Sequence, residues 1–147
     1  MNNANRLIRN IVASSALAFV SLAAHAAKVT LKADLKASAE VPAKDSAGAG
    51  RLTATFDTET KEFTYHVEFN GLTGPVVAAH FHGPAAVGAN AGPQLAIKGS
   101  PVASPVEGNA TLTPEQAKDL LDGKWYFNLH TAANPGGEIR GQVVKVE

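Results

Sequence analysis

Apolar and polar residues alternate along most of this chain. Val29, Leu31, Ala33 and Leu35 are separated by Thr30, Lys32 and Asp34, and the rhythm returns in Leu52, Ala54 and Phe56 and in Phe63, Tyr65, Val67 and Phe69. A period of two sends successive side chains to opposite faces, so each stretch predicts a half-buried β-strand. The polar stretch 57–61 joins the second and third as a hairpin. Gly71, Gly74 and Pro75 then turn the chain into a strand over 76–82. Residues 83–105 shift to Gly, Pro, Ala, Asn and Ser, which predicts a long ordered loop in which only Leu95, Ala96 and Ile97 look strand-like.

A strand over 106–112 follows. Thr113 stands as a helix N-cap, Pro114 at the first helical position, and Gln116 where it closes a capping box, while Gly123 keeps the helix short. Strands over 124–130 and 138–146 complete the pattern. The expected fold is all-β: an antiparallel, Greek-key-like sandwich or barrel of seven or eight strands with one short helix.

The first residues follow another logic. Arg6 and Arg9 precede an apolar run over 11–24, and Ala24, His25 and Ala26 supply the small residues of a cleavage site. Residues 1–26 are therefore expected to be a signal peptide cut before Ala27, leaving 27–147 as one domain in the periplasm or secreted. The run is shorter than the roughly 20 apolar residues a membrane helix needs, and no later segment comes close to that length. No transmembrane segment is expected in the mature chain.

Removing the leader takes two arginines and no acid from thirteen cationic and thirteen acidic side chains, a net charge of −2. No basic cluster remains to hold a phosphate backbone, so nucleic acid is excluded as a partner. The chain has no cysteine, which excludes disulfides, thiolate zinc sites and His-Cys copper sites. Any metal must be held by histidine, carboxylate or backbone oxygen. No protein partner is legible.

His80, Phe81 and His82 precede Gly83 and Pro84, and spacing of two on a strand sends both imidazoles to one face. A third histidine, His130, ends the stretch from Trp125 to Leu129. There Trp125, Phe127 and Leu129 share the apolar face, so His130 falls on the other face with Tyr126 and Asn128. If the two strands are neighbours, His80, His82 and His130 share one face, with nitrogens about 3 to 4 Å apart if they ligate one ion. Three neutral imidazoles favour copper, with zinc second. His66, Glu40, Glu138 and Arg140 are further candidates for ligation or for orienting an imidazole. At spacing two, Glu138 and Arg140 share a strand face, which favours an ion pair over a metal role for Glu138. No serine carries a nucleophile signature and no acid pair forms a catalytic set. No catalytic residue is assigned.

At these residues the chain resembles the chordin-type domain, usually written CHRD. The resemblance runs through Ala78-Ala79-His80-Phe81-His82-Gly83-Pro84-Ala85, and through the segment Asn128 to Gln142 with its His130-Thr131, Pro135, Gly137-Glu138 and Arg140-Gly141-Gln142. Glu40-Val41-Pro42, Gly48 to Gly50 and Phe69-Asn70-Gly71-Leu72 fit the same order. It implies a bacterial, exported, single-domain β protein, and it carries over no particular enzyme activity. The cysteine-rich modules that accompany the domain in its animal namesake have no counterpart here, so growth-factor binding is not carried over. A His-x-His pair with a later histidine is also similar to the copper half of copper-zinc superoxide dismutase. In that family an arginine near copper steers the anion, and Arg140 is its counterpart for comparison; the disulfide and zinc-binding loop are absent.

Three readings follow, in order. The first is an exported protein binding copper through His80, His82 and His130 for metal capture, delivery or redox protection. The second is a metal-free structural or interaction module whose histidines hydrogen-bond to loop backbone. The third is a redox enzyme of superoxide dismutase character.

Overall fold

The computed structural model describes residues 27–147; the predicted leader lies outside the described residues. Among these, the elements are β1 (Lys28–Lys36), β2 (Ala49–Asp57), β3 (Glu62–Asn70), β4 (Val76–His82), β5 (Pro93–Ala96), β6 (Val106–Thr111), α1 (Pro114–Leu121), β7 (Tyr126–Thr131), β8 (Ile139–Gln142) and β9 (Val144–Lys145), with a 3₁₀ turn at Ala37–Ala39. The three period-two stretches are β1, β2 and β3. Their apolar members Leu31, Leu35, Leu52, Phe56, Phe63 and Val67 are essentially inaccessible, while the residues between them face water.

All pairings are antiparallel and form one sheet in the order β5-β4-β7-β8-β1-β2-β3-β6, with β9 beside β1. The sheet curls into a half-barrel. Phe63 on β3 meets Phe81 on β4 edge-on at 5.2 Å and Trp125 at 6.0 Å, so the two halves of the sheet close on a common core. T-shaped contacts of this kind add to the large apolar area the rings remove from water. The expected all-β antiparallel fold is what forms.

Local chemistry accounts for the smaller features. The helix has its capping box: Thr113 Oγ1 accepts from Gln116 N at 3.2 Å, and Gln116 Oε1 accepts from Thr113 N at 3.0 Å. Its Ala117 and Leu120 seal one end of the core. The stretch 138–146 is two strands rather than one. Val143 is fully buried and its N–H bonds to Trp125 O; beyond it the chain continues as β9 beside β1. Leu95 and Ala96 do pair, in β5 along β4.

The half built on β4, β7 and β8 carries the three histidines. Ala78 stands opposite His130, His80 opposite Asn128 and His82 opposite Tyr126, and Asn128 in turn stands opposite Arg140. Alternation thus brings His80, His82, Tyr126, Asn128, His130 and Arg140 to the face away from the aromatic core. That face is not open to water: the segments after β1 and after β4 fold over it, and Tyr126, Asn128 and Arg140 are buried.

Candidate metal centre

The neighbouring strands needed for a shared histidine face are β4 and β7. One ligand nitrogen from each of His80, His82 and His130 lies within 4.8 Å of the other two, the one such group of three metal-binding side chains among the described residues. His80 Nδ1 and His130 Nε2 are 3.1 Å apart. Two nitrogens each about 2.0–2.1 Å from one ion are at most about 4.2 Å apart, so a pair at the 4.8 Å limit must close by at least about 0.6 Å to share an ion. Small ring rotations supply that.

The second nitrogens settle which lone pairs are available. His82 Nδ1 lies 2.9 Å from Ala91 O, and His130 Nδ1 lies 2.9 Å from Pro135 O. A carbonyl only accepts, so both Nδ1 atoms carry the proton and both Nε2 atoms present lone pairs. This is how metal-binding histidines are commonly held. Ala91 belongs to the Gly- and Pro-rich segment after β4, and Pro135 to the turn between β7 and β8, where Gly137 N bonds to Asn134 O at 3.0 Å. The Asn134-Pro135-Gly136-Gly137 turn is therefore also the brace of an imidazole.

Burial, reinforced by the neighbouring His130 and His82 charges, lowers the pKa of His80. For His82 burial is again the main cause, helped by His130 and Arg140 and opposed by the bond to the Ala91 carbonyl and by the nearby Asn128 amide. Both rings are thereby biased to the neutral form that a metal requires.

A layer of fixed groups holds the site from below. Arg140 lies in β8 with its guanidinium 4.1 Å from the centre of the Tyr126 ring, and the other neighbour of Tyr126 across the sheet, His82, stacks on it at 4.8 Å with the planes 3° apart. Arg140 bonds the Glu40 carboxylate through Nε at 2.9 Å and Nη2 at 2.8 Å, with both side chains almost fully buried. Its remaining N–H groups reach Ala89 O at 3.2 Å and Asn90 Oδ1 at 2.8 Å. Ala91 N and O both lie 3.2 Å from Tyr126 Oη. The segment carrying Ala91 is thus pinned to the sheet beside the carbonyl that braces His82.

The further candidates divide. Glu40 and Arg140 belong to this supporting layer and are not among the grouped ligands. Arg140 is covered and fully engaged, so the anion-steering role suggested by the superoxide dismutase comparison has no free guanidinium to perform it. Glu138 does not pair with Arg140. The strand begins only at Ile139, so alternation does not extend to Glu138, whose carboxylate is held by Ser46, Thr73 and Thr131 at 2.5 to 2.8 Å. Burial acts to raise its pKa, but these hydrogen bonds outweigh it and hold the carboxyl at about 2. His66 lies on β3, away from the group, between Glu107 at 2.8 Å and Glu68 at 3.5 Å.

Sequence reasoning left Asn128 and Tyr126 unassigned, although alternation already placed both on the histidine face. Asn128 is 1% exposed and its Oδ1 has no hydrogen-bond partner; His82 Nε2 is likewise buried and unpartnered.

The CHRD domain family matches residues 31–143, which takes in every residue of the site. No curated protein and no solved structure matches the chain.

Proposed function

We propose that this chain, which belongs to the CHRD domain family, is exported and holds one transition-metal ion through His80, His82 and His130, copper first and zinc second. Its task is capture, delivery or redox protection outside the cytoplasm. One observation carries the reading. His82 and His130 each give Nδ1–H to a backbone carbonyl and so keep a lone pair on Nε2; His130 Nε2 lies 3.1 Å from His80 Nδ1, and His82 Nε2 is buried with nothing to bond. A buried lone pair without a partner costs about 1–3 kcal/mol. A metal ion satisfies it. In the metal-free protein His80 Nδ1–H donates to His130 Nε2; on loading, His80 moves its proton to Nε2 and offers Nδ1 to the ion.

Copper ranks first because three imidazoles without thiolate bind it more tightly than zinc, and export removes the chain from cytosolic control of metals. The apolar leader followed by small residues supports export. The metal-free alternative rests on the same His80–His130 contact, which by itself could simply tie two strands together.

Calorimetric titration of the mature protein, residues 27–147, with Cu(II) and then Zn(II) separates them. The expected result is one equivalent of copper. His82→Ala or His130→Ala should weaken uptake by more than the roughly 10–100-fold typical of losing a supporting hydrogen bond. No saturable uptake, or uptake indifferent to both substitutions, leaves the metal-free module.

A further inference from the structure

We infer that Asn128 is a fourth member of the metal site, its side-chain carbonyl directed at the ion's remaining position, where it accepts a hydrogen bond from a water molecule on the metal. This deepens the three-histidine reading and rests on it.

The orientation of the amide is fixed from outside the site. Asn128 Nδ2 lies within 3.5 Å of Glu40 Oε1. Glu40 is a carboxylate clamped by Arg140 and can only accept, so the amide must turn its NH₂ toward it and its oxygen away. A Cβ built on Gly137 would fall 2.7 Å from Asn128 Nδ2 and 2.5 Å from Glu40 Oε1, which shows how tightly this arrangement is enclosed. Asn128 stands opposite His80 across the sheet, between Tyr126, the partner of His82, and His130 on its own strand. Asn128 Oδ1 thus faces the histidine group and is buried without a partner, as is His82 Nε2.

Two buried acceptors without partners on one covered face are an unusual arrangement. Moving the proton of His82 does not relieve it: with Nε2 protonated the ring could donate to Asn128, but Nδ1 would then present a lone pair to Ala91 O at 2.9 Å. Each neutral tautomer leaves one acceptor facing another. A bound cation with its water removes the conflict at both atoms, since the ion takes the His82 lone pair and the water donates to Asn128 Oδ1. Three protein nitrogens and one solvent position form the open type of site, able to exchange that water for a small anion.

The test uses Asn128→Ala and the nearly isosteric Asn128→Leu in residues 27–147, with folding checked by thermal unfolding. Copper affinity is measured by competition with a chelator, and the Cu(II) site by electron paramagnetic resonance before and after adding azide. The expected result is roughly 10–100-fold weaker binding and an altered spectrum in both variants, with azide displacing the solvent ligand in the unsubstituted protein. Wild-type affinity and spectrum in a folded Asn128 variant, with His130→Ala still abolishing uptake, overturns this inference and leaves the three-histidine site standing. Absence of copper uptake by the unsubstituted protein overturns both.

Discussion

The two halves of the curled sheet turn very different outer faces to their surroundings. On β1, β2, β3 and β6 the outward residues are Thr, Lys, Asp, Arg, Glu and Asn in contact with water, beside an open depression of about 590 Å³ along Thr30, Thr53, Thr55, Thr64, His66 and Glu107. On β4, β7 and β8 the outward residues are covered by loops, so β7 is buried on both faces apart from a half-exposed His130. A histidine on the first face answers only to water and its charged neighbours. On the second, every donor and acceptor must be matched by protein, and the few that are not become informative. Exposed polar groups are expected everywhere, whereas each buried unmatched one calls for an explanation, and two of those among the described residues, His82 Nε2 and Asn128 Oδ1, lie on the covered face.

The largest effect that would break this contrast is loss of a charge pair. Arg140 and Glu40 are nearly inaccessible, so Arg140→Ala strands a buried carboxylate and should cost roughly 3–5 kcal/mol. Arg51 faces Asp34 at 4.0 Å with both side chains largely in water, and Arg51→Ala should cost under about 1 kcal/mol. Urea unfolding of the two variants measures the gap. Similar values would mean that the covered face is no more structured than the open one.

A smaller effect comes from acid. The Glu138 carboxyl is held at about 2 by its hydrogen bonds, well below the 4.5 of an unconstrained glutamate. A depressed pKa in the folded state adds stability that is complete above pH 4.5 and is lost as the pH falls toward 2. The loss across that window should reach roughly 3 kcal/mol. Glu138→Gln should be less stable near pH 6 and should show a flatter decline. Unfolding curves at pH 6, 4 and 2.5 test this, and parallel declines for both proteins would contradict it.

The open half was legible in the sequence because its pattern is set locally. Period two in β1 to β3 and the capping box of α1 depend on neighbours a few residues apart, and both form as expected. The histidine group was legible for the same reason: alternation fixes the face, and only the adjacency of β4 and β7 had to be supplied by the fold. What covers the second half was not legible. Arg140 pairs with Glu40, 100 residues away, rather than with Glu138, two residues away. The choice depends on where β8 begins and on which loop descends over the sheet. The role of Asn128 depends on that pairing in turn, since the Glu40 carboxylate decides which way the amide points. The split of the last stretch was not legible either: Val143 is fully buried with its N–H on Trp125 O, and the next two residues pair with β1 instead.

The smallest effect is also the most direct comparison of the halves, because it follows the same side chain in both. The bond to Glu107 raises the pKa of His66 against an opposing effect of burial, and Glu68 adds to the rise. Burial lowers those of His80 and His82. In the metal-free protein, proton NMR of the imidazole resonances should therefore show His66 titrating above 6.5 and His80 and His82 below it. His66 is thus biased toward its charged form by its two glutamates, and the other two rings toward the neutral form by burial. Salt should shrink the His66 shift, since its partners are exposed and screened, and leave the buried rings nearly unchanged. Adding Zn(II), which is diamagnetic, should move the His80, His82 and His130 resonances and leave His66 in place. Coincident titrations for all the rings, or a His66 response to zinc equal to theirs, would mean that the loops over β4 and β7 do not set the protonation of the histidines beneath them.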